Sequence, residues 1–420
     1  MASWNLVRSP LLAIFLIVAV DVLGLTIMIP LLPFYAEKLG ATPQEVGWLI
    51  GIYALCQLFS GPLLGRLSDH TGRKPLLLVS QAGTFIGFLI TAFAPSLWIL
   101  FIARAIDGCT AGNLSLAQAY ISDVTEPKDR AKSFGIIGIA FGLGFLIGPA
   151  ISGLLAKFDY RYPIFAAAAL SATSILSTYL LLPAVTPVGA GKGTSGRMTG
   201  SSGPGGKRLS LVQWGAYVEY FRQPGLASKL WQFFSFAFGF AMFIAGMPLV
   251  LERRLTWAGM PFGPEQVGYT WAFAGLTGIG LQGPALGRLV KRFGERTLNR
   301  VGFMGYTCGY ALLAFCHSIP VLALATLVTS IGGMVRPTLT SLITQATPRE
   351  EQGAVLGLTQ SLNSVALIIA PPLGGYLIEH GWLTAWGLVA AAVAFIGLLL
   401  ASGSSDELRE TRPTVNSIAP

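Results

Sequence analysis

The sequence predicts an all-α integral membrane protein of twelve transmembrane helices, arranged as two pseudo-symmetric six-helix bundles. Three observations carry that prediction. Only 11% of the 420 residues are charged and 53% are hydrophobic, with a mean hydropathy of +0.64; a soluble domain has roughly 25% charged residues. The apolar residues fall in runs long enough to cross a bilayer, which takes ~20 residues per helix. The second half of the chain also repeats the first.

Runs of that length lie near 10–35, 45–66, 76–94, 96–122, 133–155, 163–185, 227–250, 266–288, 299–317, 319–343, 354–378 and 382–402. The first is too long for the apolar core of a secretion signal, so it reads as a retained helix. The breaks carry Gly, Pro or charge, as in "APS" at 94–96 and "TEPKDRAK" at 125–132. This divides the chain into an N-terminal bundle (1–185), a linker with a short interfacial helix (186–226), a C-terminal bundle (227–402) and a tail (403–420). The linker includes "GAGKGTSGRMTGSSGPGGK", the composition of a flexible connector. Its "GAGKGT" has the wrong spacing for a phosphate loop and follows no strand. "LSLVQWGAYVEYF" at 209–221 mixes apolar and polar faces, which suits a helix lying on the membrane surface.

The net charge of +9 does not call for nucleic acid, because excess Lys and Arg mark the cytoplasmic loops of membrane proteins. With the N-terminus cytoplasmic, 21 basic residues fall on that side and five on the other: Lys38, Lys157, Arg161, Arg253 and Arg254. The split predicts a multi-pass protein of the cell membrane with both termini cytoplasmic. Cys56, Cys109, Cys308 and Cys316 all lie in apolar segments, which implies no disulfide framework. His70, His317 and His380 sit in or near loops, and no metal or other cofactor is expected. No nucleophile–base pair is spaced among the helices, so an enzyme is not expected either.

Three blocks carry the repeat. "SGPLLGRLSDHTGRKPL" (60–76) matches "QGPALGRLVKRFGERTL" (282–298), "TPQEVG" (42–47) matches "GPEQVG" (263–268), and "GPAISGLL" (148–155) matches "APPLGGYL" (370–377). The offsets are 221 or 222 residues throughout. Duplicated six-helix halves are the layout of many secondary transporters, with substrate bound near the midplane between the halves.

The residues at these places resemble the major facilitator superfamily. Gly65, Leu67, Asp69, Gly72, Arg73 and Lys74 match its signature between helices 2 and 3, and Arg104 with Gly108 matches a second in helix 4. Gly144, Gly148, Pro149 and Gly153 in helix 5 resemble the motif of drug–proton antiporters. The whole-chain texture, including Asp21, Gly24, Pro30 and Pro33 in helix 1, is similar to the tetracycline-efflux proteins and their relatives. The resemblance implies a proton-coupled exporter of amphipathic or aromatic small molecules, working as a monomer in the lipid bilayer. The alternative within the superfamily is a metabolite or sugar uptake carrier. One departure stands out. The tetracycline-efflux pattern has a membrane acid in helices 3 and 9, where this chain has Gly87 and Gly305, so a substrate other than a tetracycline–metal complex is expected.

Topology alone accounts for the basic residues of the hinge. It does not account for Asp69 at the membrane edge, or for Gly65 and Gly72 flanking a turn. The resemblance implies that Asp69 pairs with Arg73, caps a helix of the second half, and joins Asp123 in a charge cluster that gates the inner side. The second copy has Lys291 in place of Asp69, which predicts a weaker latch.

Asp21 lies about eleven residues into the first helix, ~16 Å deep at ~1.5 Å per residue. An ionisable group near the midplane is a functional candidate, or else an acid neutralised by a polar neighbour. Arg104 and Asp107 share a face of helix 4 and reach a similar depth. Arg104 either tunes Asp21 during proton coupling or simply pairs with Asp107. Arg336 in helix 10 either snorkels or lines an anion-attracting inner cavity. Tyr53, Gln57, Asn113, Gln118, Gln232, Tyr306, Gln360 and Asn363 are further cavity candidates, each alone equally suited to a bond between helices.

Overall fold

The computed structural model describes residues 10–125, 130–183, 218–223, 225–281, 285–348 and 351–403. Most of the expected linker, the bulk of its interfacial helix and the tail beyond 403 lie outside the described residues.

The first half comprises α1 (Pro10–Lys38), α2 (Pro43–Thr71), α3 (Arg73–Ala92), α4 (Leu97–Cys109), α5 (Asn113–Val124), α6 (Arg130–Ala156) and α7 (Arg161–Leu181). The second comprises α8 (Leu226–Arg254), α9 (Pro264–Gly280), α10 (Leu286–Phe293), α11 (Glu295–Ala314), α12 (Ile319–Gly332), α13 (Val335–Gln345), α14 (Gln352–Glu379) and α15 (Leu383–Gly403). Ten spans are long and apolar enough to cross a membrane, counting α4 with α5 and α12 with α13 as one each. The other two expected spans are also helical, as α9 with α10 and as α11. The expected fourth and tenth spans are therefore not continuous. They break at Thr110–Gly112 and at Gly333–Met334.

Those two breaks are 222 residues apart, and so are the starts of α3 and α11, α4 and α12, α5 and α13, and α7 and α15. The hinges repeat as well. α2 turns into α3 through Gly72 alone (φ 94°, ψ 156°), and α10 turns into α11 through Gly294 alone (φ 77°, ψ 156°). Positive φ at a one-residue turn favours glycine, which has no Cβ to clash. Gly65 does not flank the turn, contrary to expectation. It lies inside α2 with open space beside it.

An insertion absent from the sequence reading interrupts the symmetry. Between α8 and α9, β1 (Thr256–Trp257) pairs antiparallel with β2 (Met260–Pro261) across Ala258 and Gly259, both at positive φ, the requirement of a tight two-residue hairpin turn.

The halves meet through two equivalent crossings, α2 on α14 and α6 on α9. A Cβ at Gly47 would overlap the Pro371 carbonyl, and one at Gly375 would overlap that of Pro43. In the other crossing, a Cβ at Gly268 would overlap the Pro149 carbonyl, and one at Gly153 would press on Glu265 and the Pro264 carbonyl. Small residues let backbones approach closely where lipid supplies no hydrophobic drive between helices. Polar ties flank the crossings: Arg253 Nη2 lies 2.5 Å from Glu37 Oε1, Lys157 Nζ 2.7 Å from Glu265 Oε1, and the Gln44 N–H donates to Glu379 Oε2 at 3.3 Å. Glu265 holds the Lys157 ammonium above the usual lysine range, so that pair stays charged at neutral pH.

The larger apolar core joins both halves. A second core, containing Ile14, Leu64, Leu77, Leu116, Tyr120 and Leu182, belongs to the first half alone and lies toward the hinges. The polar ties between the halves lie at the end away from the hinges.

The crossings should be intolerant of added volume. Gly47→Ala should cost about 1–3 kcal/mol through overpacking, seen as a lower melting temperature of the purified protein in detergent. Gly61→Ala, with nothing within 4 Å of its Cβ, should not. Equal melting temperatures for the two variants would refute the seat.

Candidate functional site

Asp21 sits midway along α1, half-buried among the helices of the first half. The side chains of Gln81 on α3 and Ser174 on α7 reach its carboxyl. Gln81 Nε2 donates to Ser174 Oγ at 2.8 Å, and both residues are wholly buried. An amide and a hydroxyl offer donors and acceptors, so they can serve the carboxyl with or without its proton. Asp107 of α4 acts on it electrostatically.

Arg104 pairs with Asp107, Nη2 to Oδ2 at 3.2 Å, with side chains 7% and 8% exposed. Its guanidinium lies 6.0 Å from the Tyr53 ring centroid, and the Tyr53 hydroxyl accepts from Gln57 Nε2 at 3.3 Å. Arg104 with Asp107 is the pair that one of the two sequence readings expects.

Asp107 also answers the departure at Gly87. A Cβ at Gly87 would meet the Asp107 Cβ at 3.1 Å and its Cγ at 3.7 Å. The Asp107 side chain thus takes the space that a side chain at 87 would fill, so span 4 supplies an acid where span 3 has none. In the second half the equivalent contact is Gly309 on Thr329. The internal counterpart of Gly87 is therefore Gly309, not Gly305, and it faces a neutral hydroxyl.

The helix-5 motif serves both neighbours of α6. Gly144 and Gly148 seat Val22 and Thr26 of α1 within a turn or two of Asp21, and Thr26 Oγ1 donates to the Gly144 carbonyl at 2.9 Å. Pro149 and Gly153 form the crossing with α9.

At the hinge, Arg73 Nη1 lies 2.6 Å from Asp69 Oδ1 and Arg73 Nε 2.9 Å from Asp123 Oδ2. Arg73 also donates to Ser68 Oγ at 2.5 Å, and Lys74 Nζ to the Tyr179 carbonyl at 2.8 Å. The expected charge cluster is present, but every one of these contacts is within the first half. The Asp69 side chain is 57% exposed, and among the described residues it makes no contact with a second-half helix. The second hinge does contain an acid, four residues beyond Lys291. Glu295, the counterpart of Arg73, accepts from Gln345 Nε2 at 2.7 Å and Ser341 Oγ at 2.8 Å. Gln345 is the counterpart of Asp123, so an ion pair in one half corresponds to a neutral-donor bond in the other.

The cavity candidates separate. Gln232 is 2% exposed and tied to Asn299 (2.9 Å) and Ser228 (3.2 Å); it joins helices and lines nothing. Gln118 and Gln360 are exposed, while Tyr53, Gln57, Asn113 and Asn363 are half-buried. Asn113 Oδ1 has no hydrogen-bond partner among the described residues. Tyr306 is 5% exposed, and the exposed Arg336 is its electrostatic neighbour. Gln81 and Ser174 escaped the sequence reading. The spacing of Gln81 and Thr84 on one face of an otherwise apolar helix was the available signal.

The family model described as the Major Facilitator Superfamily matches residues 14–316 and 262–417. The chain belongs to the Major Facilitator Superfamily. Among superfamily relatives it is 29% identical over 415 residues to the tetracycline resistance protein, class B, of Escherichia coli, covering 93% of this chain and 97% of that one. It is 30% identical over 400 residues to the class G protein of Vibrio anguillarum, covering 93% and 96%. It is 23% identical to multidrug resistance protein 2 of Bacillus subtilis (strain 168), covering 85% and 86%. Among solved structures, the human organic anion transporter MFSD10 (TETRAN) shares the fold with TM-score 0.69 at 23% identity, covering 94% and 99%. The nucleoside transporter NupG (D323A mutant) does so with TM-score 0.74 at 16% identity, covering 95% and 99%.

Two tests follow from this geometry. Arg104→Gln strands a buried carboxylate and should cost about 3–5 kcal/mol; the double variant with Asp107→Asn should recover most of the lost melting temperature. Recovery of less than a third would separate the two residues. At the hinge, Asp69→Ala and Arg73→Ala should be non-additive in their effect on turnover, because paired groups share one interaction. Additive losses would argue against the cluster.

Proposed function

We propose that this protein is a secondary active transporter that exports amphipathic or aromatic small molecules in exchange for protons by alternating access. The observation that carries the reading is the placement of Asp21 against Gln81, Ser174 and Asp107 inside the first half. The relatives' names, tetracycline and multidrug resistance proteins, support export of drug-like compounds. Asp21 takes the proton, Gln81 and Ser174 hold its carboxyl, and Asp107, neutralised by Arg104, sets the local field. One proton entering across ~100 mV supplies about 2.3 kcal/mol, and a pH gradient adds to it.

The 1–185 and 227–402 bundles are the moving bodies, joined by the 186–226 linker, in a monomer of the cell membrane. Both termini face the cytoplasm, as the basic residues imply. In that orientation the hinges are cytoplasmic and the closed crossings face outward, so the described state opens inward. Asp69, Arg73 and Asp123 then form a gate whose first-half part is assembled and whose cross-half contact forms when the inside closes. The ties of Glu37 with Arg253 and Lys157 with Glu265 are the opposing latch. A cavity of about 520 Å³ lined by Glu37, Lys38, Lys157, Tyr160 and Glu252 lies at that outer face.

The test is proton movement in proteoliposomes containing the purified protein. Adding a transported drug on the side of origin should move protons in the opposite direction. Asp21→Asn should abolish that movement while the variant still exchanges labelled drug across the membrane. Uphill export at the wild-type rate by Asp21→Asn would remove Asp21 from coupling.

A further inference from the structure

The two broken spans differ at the break. In the first half Ser80 bridges it: its hydroxyl donates to the Thr110 carbonyl and accepts from the Gly112 N–H at 2.9 Å. Its counterpart 222 residues on is Gly302, which has no side chain to offer. The Met334 N-cap of α13 supplies no side-chain hydrogen bond. The first turn of α13 carries Arg336, whose side chain is exposed although it lies ~13 Å from the far end of that helix at ~1.5 Å per residue. Among the described residues Arg336 makes no ion pair, and its electrostatic neighbour is the neutral phenol of Tyr306. The described acids of the second half lie at the ends of its helices: Glu252, Glu265, Glu295, Glu351 and Glu379. The interior thus holds one cation and no described anion.

Aromatic rings lead away from this charge. Tyr306 packs against Gly332 at the break and stacks on Tyr310 at 5.3 Å. Tyr306 also packs on Phe236 at 5.8 Å, and Tyr310 on Phe243 at 5.4 Å. Phe243 meets Trp271 at 5.4 Å, and Trp271 meets Phe145 of the first half at 6.2 Å. Two donors in this series are buried with no acceptor among the described residues: the Tyr310 hydroxyl (residue 2% exposed) and Trp271 Nε1 (4% exposed). Buried polar groups are nearly always hydrogen-bonded. An unpaired charge part-way along a membrane span is costly.

We propose that Arg336, beside Tyr306 at the break in the tenth span, forms a subsite for the anionic group of an aromatic substrate, a carboxylate or a similar monoanion. This deepens the exporter reading and rests on it for the direction of transport, but not for binding. Arg336 engages the anion through charge-assisted hydrogen bonds.

The probes are naphthalene-2-carboxylate and its neutral carboxamide, with binding to the purified full-length protein measured by equilibrium dialysis. The wild type should bind the carboxylate at least ~tenfold more tightly, since a hydrogen bond to a charged group is worth about 1.5–3 kcal/mol. Arg336→Gln should erase that preference while leaving carboxamide affinity within about twofold, which also reports that the variant is folded. Arg336→Lys should keep part of it, because charge survives without the planar fork. Equal wild-type affinity for the two probes, no saturable carboxylate binding, or a preference that survives Arg336→Gln would overturn the subsite. Carboxylate preference without drug-driven proton movement would defeat the exporter reading alone, and proton movement without that preference would defeat the subsite alone.

Discussion

The close approach of α2 to α14, and of α6 to α9, organises everything else in the molecule. Each crossing puts a glycine of one helix on a proline carbonyl of the other, twice over, so that backbone meets backbone. Pro149 and Pro371 lie inside their helices, where each leaves the carbonyl four residues earlier without its usual N–H, and membrane helices tolerate this where a neighbour packs closely. Because lipid offers no hydrophobic drive between helices, such contact is what holds two halves together at one end. The shared apolar core and the polar ties beside the crossings follow from it.

Duplication supplied one scaffold, and the two copies have diverged in chemistry while keeping geometry. Span 3 lays a glycine under a polar residue of span 4 in both halves, but that residue is Asp107 in one and Thr329 in the other. The hinge helix reaches the end of the fourth span in both halves, through Arg73 to Asp123 in one and Glu295 to Gln345 in the other. The breaks at the two half-spans differ by Ser80 against Gly302. The first half has thereby become the side with acids inside its spans, Asp21 and Asp107, and the second the side of stacked aromatic rings, Tyr306 and Tyr310.

The sequence made the spans and the repeat legible because both depend on composition and order alone. The hinge cluster of Asp69, Arg73 and Asp123 was expected from the resemblance to the superfamily signature, not from spacing. What the sequence could not sort was which polar residue inside a span faces which neighbour. In a soluble helix the apolar stripe reveals the inward face, but lipid is as apolar as the interior, so a membrane helix carries little such signal. Gln232 and Gln81 therefore looked alike, and only packing separates a tie between helices from a partner of Asp21. The same limit hid the link between Glu37 and Arg253, which belong to different halves. The breaks in the fourth and tenth spans had signals in Gly112, Gly333 and Pro337, but the apolar runs on either side outweighed them.

The position of the crossing along α2 has a mechanical consequence. Gly47 lies four residues from one end of this 29-residue helix, and 24 residues from Thr71. At ~1.5 Å per residue those arms are about 6 Å and 36 Å. A fulcrum placed so near one end makes the helix an unequal lever. A displacement of ~1 Å at the short arm becomes ~6 Å at the long one, in proportion to those arms. The one-residue turn at Gly72 leaves no slack, so α3 is carried along with the long arm. A small rearrangement of side chains beside the crossing would thus become a large displacement at the hinge end, with the helices themselves unbent.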